Sequence, residues 1–288
     1  MAPVPPAPRV SYVNGRYVRH AEAALHVEDR AGQFADAVYE VLAIQGGRPL
    51  HADQHLDRLG RSLDALAIDW PVPRRVLPLI VAQVTARNRI GDGLVYIQVS
   101  RGVAHRNHPF PTDALPSLVV TGWRQSLDFE AQAAKGYSVV TAADQRWKRP
   151  DIKSVGLLAN VLARQAARER GVSEAWLVDE ARGVITEGAA TNAFIVDKAG
   201  RVVTHPADGR ILGGVTRANT LALAASAGIA VDERPFTLPE AKAAAEAFLT
   251  GTSMTVMPVV AIDGQAVGGG RPGPVTLKLR ALYKGLRC

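Results

Sequence analysis

Lys153 closes the run Arg146-Trp147-Lys148-Arg149-Pro150-Asp151-Ile152-Lys153, and Glu187 follows it in Thr186-Glu187-Gly188-Ala189-Ala190-Thr191-Asn192. A Schiff base with pyridoxal phosphate needs a lysine amine, and a carboxylate to keep the pyridine nitrogen protonated so that the ring can accept electrons. Read alone, either residue is a solvated surface charge, because such side chains are seldom buried without a partner. Two glycine-led stretches offer a phosphate what it needs. Gly214-Val215-Thr216 at a helix start presents backbone N–H groups and a hydroxyl, and Gly251-Thr252 presents a second set. Arg106 and His108 lie two residues apart in an extended segment, with Pro109 biasing His108 toward extended backbone. That spacing points both to one side, where arginine can grip a carboxylate with two hydrogen bonds and histidine can add another. Their ordinary readings are a turn, a helix cap and a polar surface loop.

The elements that must carry these residues follow from periodicity. Val10 to Val13 and Arg16 to Arg19 flank Asn14-Gly15, a pair suited to a tight hairpin turn. Ala37 to Ile44 reads as a strand whose alternation puts Tyr39 and Val41 on one face and Val38, Glu40 and Leu42 on the other. Residues 53–67 read as a helix on the spacing of Leu56, Leu59, Leu63 and Leu66, with Arg58 off that stripe and free to face a ligand. Strands are expected at Leu94 to Ser100 and Ser117 to Gly122. A helix over Ser154 to Arg170 should gather Val155, Leu158, Val161, Leu162 and Gln165 or Ala166 on one face, stopped by Gly171. Strands at Ala175 to Val178 and Asn192 to Val196, a helix from Val215, a helix capped by Thr237 with Glu240, two further strands and a final helix complete an α+β chain.

The stretches Asp29-Arg30-Ala31-Gly32-Gln33-Phe34-Ala35-Asp36-Ala37-Val38-Tyr39-Glu40-Val41, His55-Leu56-Asp57-Arg58-Leu59, Arg106-Asn107-His108, Asp151-Ile152-Lys153-Ser154, Thr186-Glu187-Gly188, Gly213-Gly214-Val215-Thr216-Arg217 and Thr250-Gly251-Thr252-Ser253 resemble, in order, the signatures of class IV aminotransferases. The subgroup they most resemble is D-amino acid transaminase. The resemblance implies a two-domain class IV fold and a pyridoxal 5'-phosphate transaminase that exchanges amino groups between D-amino acids and 2-oxo acids with ping-pong kinetics. It implies Lys153 as catalytic residue and cofactor anchor, Glu187 at the pyridine nitrogen, and Arg58, Val215, Thr216 and Thr252 at the phosphate. It also implies Tyr39, Val41, Arg106 and His108 at the substrate, within a homodimer whose active sites are shared. Branched-chain L-amino acid aminotransferase, (R)-amine transaminase and aminodeoxychorismate lyase are the alternatives built on similar blocks. Ala31, Ala35 and Ala37 stand where relatives usually have glycine, and Ala189-Ala190-Thr191 where they often have serines.

A chain of 288 residues is long enough for two domains. The expected division is a flexible segment 1–9, a small α+β domain 10–122, a linker 123–131 and a large cofactor-binding domain 132–288. No apolar run approaches the length that spans a bilayer, and Met1 to Pro8 lacks the pattern of a signal peptide, so a cytoplasmic enzyme is expected. The only cysteine is Cys288, which excludes an intrachain disulfide and a cysteine-rich metal site. The net charge of +7 is scattered and no nucleic-acid motif accompanies it, so small anionic substrates rather than nucleic acid are the expected partners.

Overall fold

The computed structural model describes residues 9–286. Most of the segment expected to be flexible, and Cys288, lie outside them. The chain divides into two compact units, 1–127 with 152–156, and 128–151 with 157–288. Lys153 therefore packs with the first unit, although it was expected within the large domain.

The first unit contains strands β1 (Val10–Val13) and β2 (Arg16–Arg19), helix α1 (Arg30–Phe34), strands β3 (Ala37–Gln45) and β4 (Arg48–Pro49), helices α2 (Ala52–Leu66) and α3 (Leu77–Arg87), and strands β5 (Gly93–Ser100) and β6 (Ser117–Arg124). The strands form one antiparallel sheet in the order β2-β1-β6-β5-β3-β4. Asn14 and Gly15 both take positive φ at the β1–β2 turn, as the pair predicts. Leu56, Leu59 and Leu63 of α2 are buried in one core with Val38, Leu42 and Ile44 of β3. Helix α3, which went unread in the sequence, adds Leu77, Ile80, Val81 and Val84 to that core.

The second unit opens with helix α4 (Glu130–Lys135) and strand β7 (Tyr137–Ala143), so only 125–129 of the expected linker is irregular. It continues with helix α5 (Leu158–Glu169), strands β8 (Glu174–Asp179), β9 (Val184–Gly188), β10 (Asn192–Val196) and β11 (Val202–Thr204), and helix α6 (Val215–Ser226). Strands β12 (Val231–Glu233) and β13 (Phe236–Thr237), helix α7 (Leu238–Ala243), strands β14 (Glu246–Gly251), β15 (Thr255–Ile262) and β16 (Gln265–Ala266), and helix α8 (Pro274–Gly285) complete it. Its sheet runs β12-β11-β10-β14-β15-β7-β8-β9-β13, with β16 beside β15. Thr237 and Glu240 close the expected capping box on α7.

Helix α5 starts at Leu158, not Ser154. The backbone before it is taken by β3 instead: the Tyr39 N–H donates to the Lys153 carbonyl at 2.9 Å and the Val155 N–H donates to the Ala37 carbonyl at 3.0 Å. The face of α5 that is buried is its alanine face, Ala163 and Ala167, packed with Val140, Ala175 and Leu177. The larger residues expected inside are outside, with Leu158 72 %, Val161 58 % and Leu162 56 % exposed.

Candidate active site

Within the first unit, extended backbone beside β3 presents Lys153. Its N–H donates to Ser62 Oγ at 3.3 Å, and its Nζ stands 4.2 Å from the centre of the Tyr39 ring. Tyr39 stacks on Tyr96 at 5.5 Å, and the Tyr96 hydroxyl donates to Gln98 Oε1 at 2.7 Å. Burial, with Tyr39 alongside, pushes the Tyr96 hydroxyl up to about 12, so it stays a donor at neutral pH. Val41 faces Tyr96 across the β3–β5 ladder. A cavity of about 500 Å³ lies in this unit, bounded by Val155, Gln98, Asp29, Ala31 and His26 among others.

On the other face of β3, Glu40 is fully buried and accepts from Arg58 through Nε at 2.7 Å and NH2 at 2.8 Å. His55 Nδ1 adds a third bond at 2.8 Å. Burial works to raise the Glu40 carboxyl, but the Arg58 charge and these bonds outweigh it and hold the group at about 2. Arg58 is thus not the open helix charge that its place off the leucine stripe implied: it is buried and gripped by Glu40 with two bonds. Glu40 could not be picked out from the sequence, where strand alternation only puts it on one face with Val38 and Leu42.

Arg106 and His108 lie on the exposed segment between β5 and β6. Both reach the same ring: the Arg106 guanidinium carbon is 4.6 Å from the centre of Phe34, and the His108 ring is 5.3 Å from it.

The second unit carries Glu187 at the end of β9, buried among donors. Its Oε1 accepts from Arg146 NH1 and from the Leu212 N–H at 2.9 Å, and its Oε2 accepts from Asn192 Nδ2 at 2.8 Å. Burial pushes the Glu187 carboxyl up, while the Arg146 charge and the Leu212 N–H pull against it. Arg146 is itself fixed by Asp144 through Nε at 2.9 Å and NH2 at 2.7 Å. Asp144 accepts also from the Thr186 hydroxyl at 2.7 Å. A further cation, such as a protonated pyridine, would favour the ionised form of Glu187.

Asn192 ties this carboxylate to the turn before α6, since the same amide nitrogen donates to the Leu212 carbonyl at 2.8 Å. Gly214 follows in that turn, and a Cβ there would fall 2.1 Å from Asn192 Oδ1, so any other residue would have to push that amide aside. Gly214 caps α6 without a side-chain bond, leaving the N–H groups of Val215 and Thr216 without partners inside the helix. Asn192 pairs with Thr250 across the β10–β14 ladder, two residues before Thr252 on the β14–β15 turn. A Cβ on Gly251 would meet Thr191 at 3.4 Å. Glu187, Val215, Thr216 and Thr252 thus come from segments linked through Asn192 and β14. An anchored carboxylate, first-turn amides of a helix and two threonines form a donor set able to hold a pyridinium ring and a phosphate. Arg146 and Asn192 were missed as partners; the only hint was their place inside the Arg146–Lys153 and Thr186–Asn192 stretches.

Residues 37–262 match the family described as Amino-transferase class IV. The D-alanine aminotransferase of Bacillus licheniformis is 38 % identical over 264 residues, covering 91 % of this chain and 92 % of that protein. That of Listeria monocytogenes is 38 % identical over 273 residues, covering 94 % and 93 %. Among solved structures, the branched-chain amino acid aminotransferase of T.th. with pyridoxamine 5'-phosphate superposes with a TM-score of 0.88 at 26 % identity, covering 96 % of this chain and 93 % of that one.

Proposed function

Because the chain belongs to the class IV aminotransferase family, we propose that it transfers amino groups between D-amino acids and 2-oxo acids, with D-alanine or D-glutamate as donors and pyruvate or 2-oxoglutarate as acceptors. The observation that carries this reading is the 38 % identity, over more than nine-tenths of both chains, to proteins named D-alanine aminotransferase. Identity to the branched-chain enzyme is lower, at 26 %.

Pyridoxal phosphate supplies the family with a carbonyl that captures the amino group and a ring that stores the electron pair left by the departing α-proton. The donor set of this chain fits that group. Glu187, held by Arg146, Asn192 and the Leu212 N–H, would keep the ring nitrogen protonated. Val215 and Thr216 at the start of α6, Thr252 on its turn and Arg58 would hold the phosphate. Lys153 would be the covalent anchor, and its freed Nζ would carry the proton to and from the substrate α-carbon. Tyr39, which lies under that Nζ, and Val41 would bound the substrate, with Arg106 and His108 gripping its carboxylate.

We infer a homodimer from the large apolar side chains that α5 leaves outside, Leu158, Val161 and Leu162. A contiguous apolar strip of this kind is what a subunit interface covers. In such a dimer the Arg106–His108 segment would serve the neighbouring subunit's site. Among the described residues no helix is long and apolar enough to cross a membrane; a cytoplasmic location stays part of the proposal.

Reduction of the cofactor-loaded protein with borohydride, followed by peptide mapping, should place the pyridoxyl group on Lys153. Half-reactions with a panel of D- and L-amino acids and R- and S-amines should bleach the cofactor band with D-alanine. Bleaching by L-leucine and not by D-alanine would hand the chain to the branched-chain reading.

A further inference from the structure

The segment 101–110 that carries Arg106 and His108 forms no helix, and apart from an isolated bridge between Asp29 and Val103 no strand. A long arginine side chain loses on the order of 2 kcal/mol of rotamer freedom when it is immobilised. A trap built on irregular backbone therefore needs its geometry imposed from outside if binding is not to be weakened by ordering it.

Helix α1 supplies that support. Arg30 is 3 % exposed and directs its guanidinium at the loop backbone, NH1 donating to the Asn107 carbonyl at 2.6 Å and NH2 to the His108 carbonyl at 3.2 Å. Its Nε is anchored on Asp36 at 2.7 Å. Asp36 is shared with Arg101, through Nε at 2.8 Å and NH2 at 3.0 Å, and Arg101 in turn lies 3.6 Å from the ring centre of Phe110. Both ends of the loop are thereby tied to one half-buried carboxylate. Between them, Phe34 brings three groups to its ring: Arg30 at 4.6 Å, Arg106 at 4.6 Å and the His108 imidazole at 5.3 Å. The neighbouring Gln33 touches Arg106 through Oε1 at 3.5 Å.

We propose that Phe34 is a positioning residue for substrate binding: its ring, on a helix whose Arg30 pins the loop backbone, holds Arg106 and His108 in register for a carboxylate. This rests on the reading of Arg106 and His108 as the carboxylate-binding pair. The attraction between a guanidinium and an aromatic face orients Arg106 without consuming the N–H groups that would bind the substrate, which a carboxylate partner would occupy. Phe34 would act through Arg106 and His108, whose side chains its ring contacts, so its loss weakens binding of substrate and transition state alike.

The test compares Phe34→Leu, Phe34→Tyr and Arg106→Ala in the cofactor-loaded enzyme. A guanidinium–ring contact at a partly exposed site is worth a factor of roughly two to five. Phe34→Leu should raise the KM for D-alanine and the inhibition constant of propionate by that factor, with kcat and cofactor absorbance within error of the parent. Phe34→Tyr, which keeps the ring, should restore both constants. An unchanged KM in Phe34→Leu beside a large loss in Arg106→Ala overturns the role of Phe34 and leaves the pair standing. Equal damage in Phe34→Leu and Phe34→Tyr, or a fall in kcat with altered absorbance, shows a packing role and also overturns it. If Arg106→Ala leaves the constants for D-alanine and propionate unmoved, the carboxylate-binding pair falls and this proposal with it.

Discussion

Asn192 Nδ2 donates at 2.8 Å both to Oε2 of Glu187 and to the carbonyl of Leu212, so one amide fixes a buried carboxylate against the turn that opens α6. Asn192→Ala would remove a donor from Glu187 and leave the Leu212 carbonyl short of a partner. A buried polar group so deprived costs about 1–3 kcal/mol. Urea unfolding of the variant should show a loss in that range, together with weaker retention of pyridoxal phosphate on dialysis. Unaltered retention would separate the ring carboxylate from the α6 turn.

Glu187→Gln keeps the shape of the side chain and its bond from Leu212 but removes the charge. If Glu187 holds a protonated ring nitrogen, removal of α-protons should slow on the order of 10²-fold, the usual loss when one preorganised electrostatic contact is deleted. Stopped-flow half-reactions with D-alanine read this step directly. A rate equal to the parent's would take Glu187 out of the chemistry.

Arg146 stands between the half-buried carboxylate of Asp144 and the buried one of Glu187. Arg146→Met leaves both without their cation, a loss typically of about 3–5 kcal/mol where the pair is buried. Burial already pushes the Glu187 carboxyl up, so without the guanidinium it takes up a proton more readily still. The destabilisation should therefore be largest at neutral pH and shrink as the buffer is made acidic, which chemical denaturation at pH 5 and pH 8 can establish.

The Glu40 carboxyl sits at about 2 in the folded chain against an ordinary 4.5, so the unfolded chain holds its proton more strongly. The resulting stability is whole above about pH 4.5 and is lost as pH falls toward 2; a shift of this size corresponds to roughly 3 kcal/mol. His55, pushed down from 6.5 by burial, adds a loss that begins as pH drops below that value. A Glu40→Gln variant should start less stable and show a flatter acid limb between pH 5 and pH 2. Parallel limbs would mean that the Glu40–Arg58 pair is not the acid-sensitive element.

Ala35 ends α1 in the left-handed region at φ 55°, a conformation that costs an L-residue about 1–2 kcal/mol. Ala35→Gly should gain up to about 1 kcal/mol, net of the freer unfolded chain, seen as a higher urea midpoint. A lower midpoint would show that the Ala35 methyl packs usefully.

Much of the local structure was legible in the sequence because its causes lie within a few residues. The Asn14-Gly15 turn, the shared face of Val38, Glu40 and Leu42, the leucine spacing of α2 and the Thr237–Glu240 capping box each depend on nearby dihedral angles and side chains. The motif blocks with Lys153 and Glu187 were likewise visible as residue types in order. Only tertiary structure decided what those residues touch. Arg146 reaches Glu187 across 41 positions, Arg58 reaches Glu40 across 18, and Arg30 reaches the Asn107 carbonyl across 77. Helical spacing marked a stripe on α5 but not which neighbour would cover it, and the sheet took the alanines and left Leu158, Val161 and Leu162 outside. The start of α5 moved for the same reason, since β3 supplied hydrogen-bond partners to residues 153–155 that helical propensity alone would have placed in a first turn. Periodicity records how a chain can repeat locally, whereas burial and ion pairing are settled by which distant segments the folded path brings together.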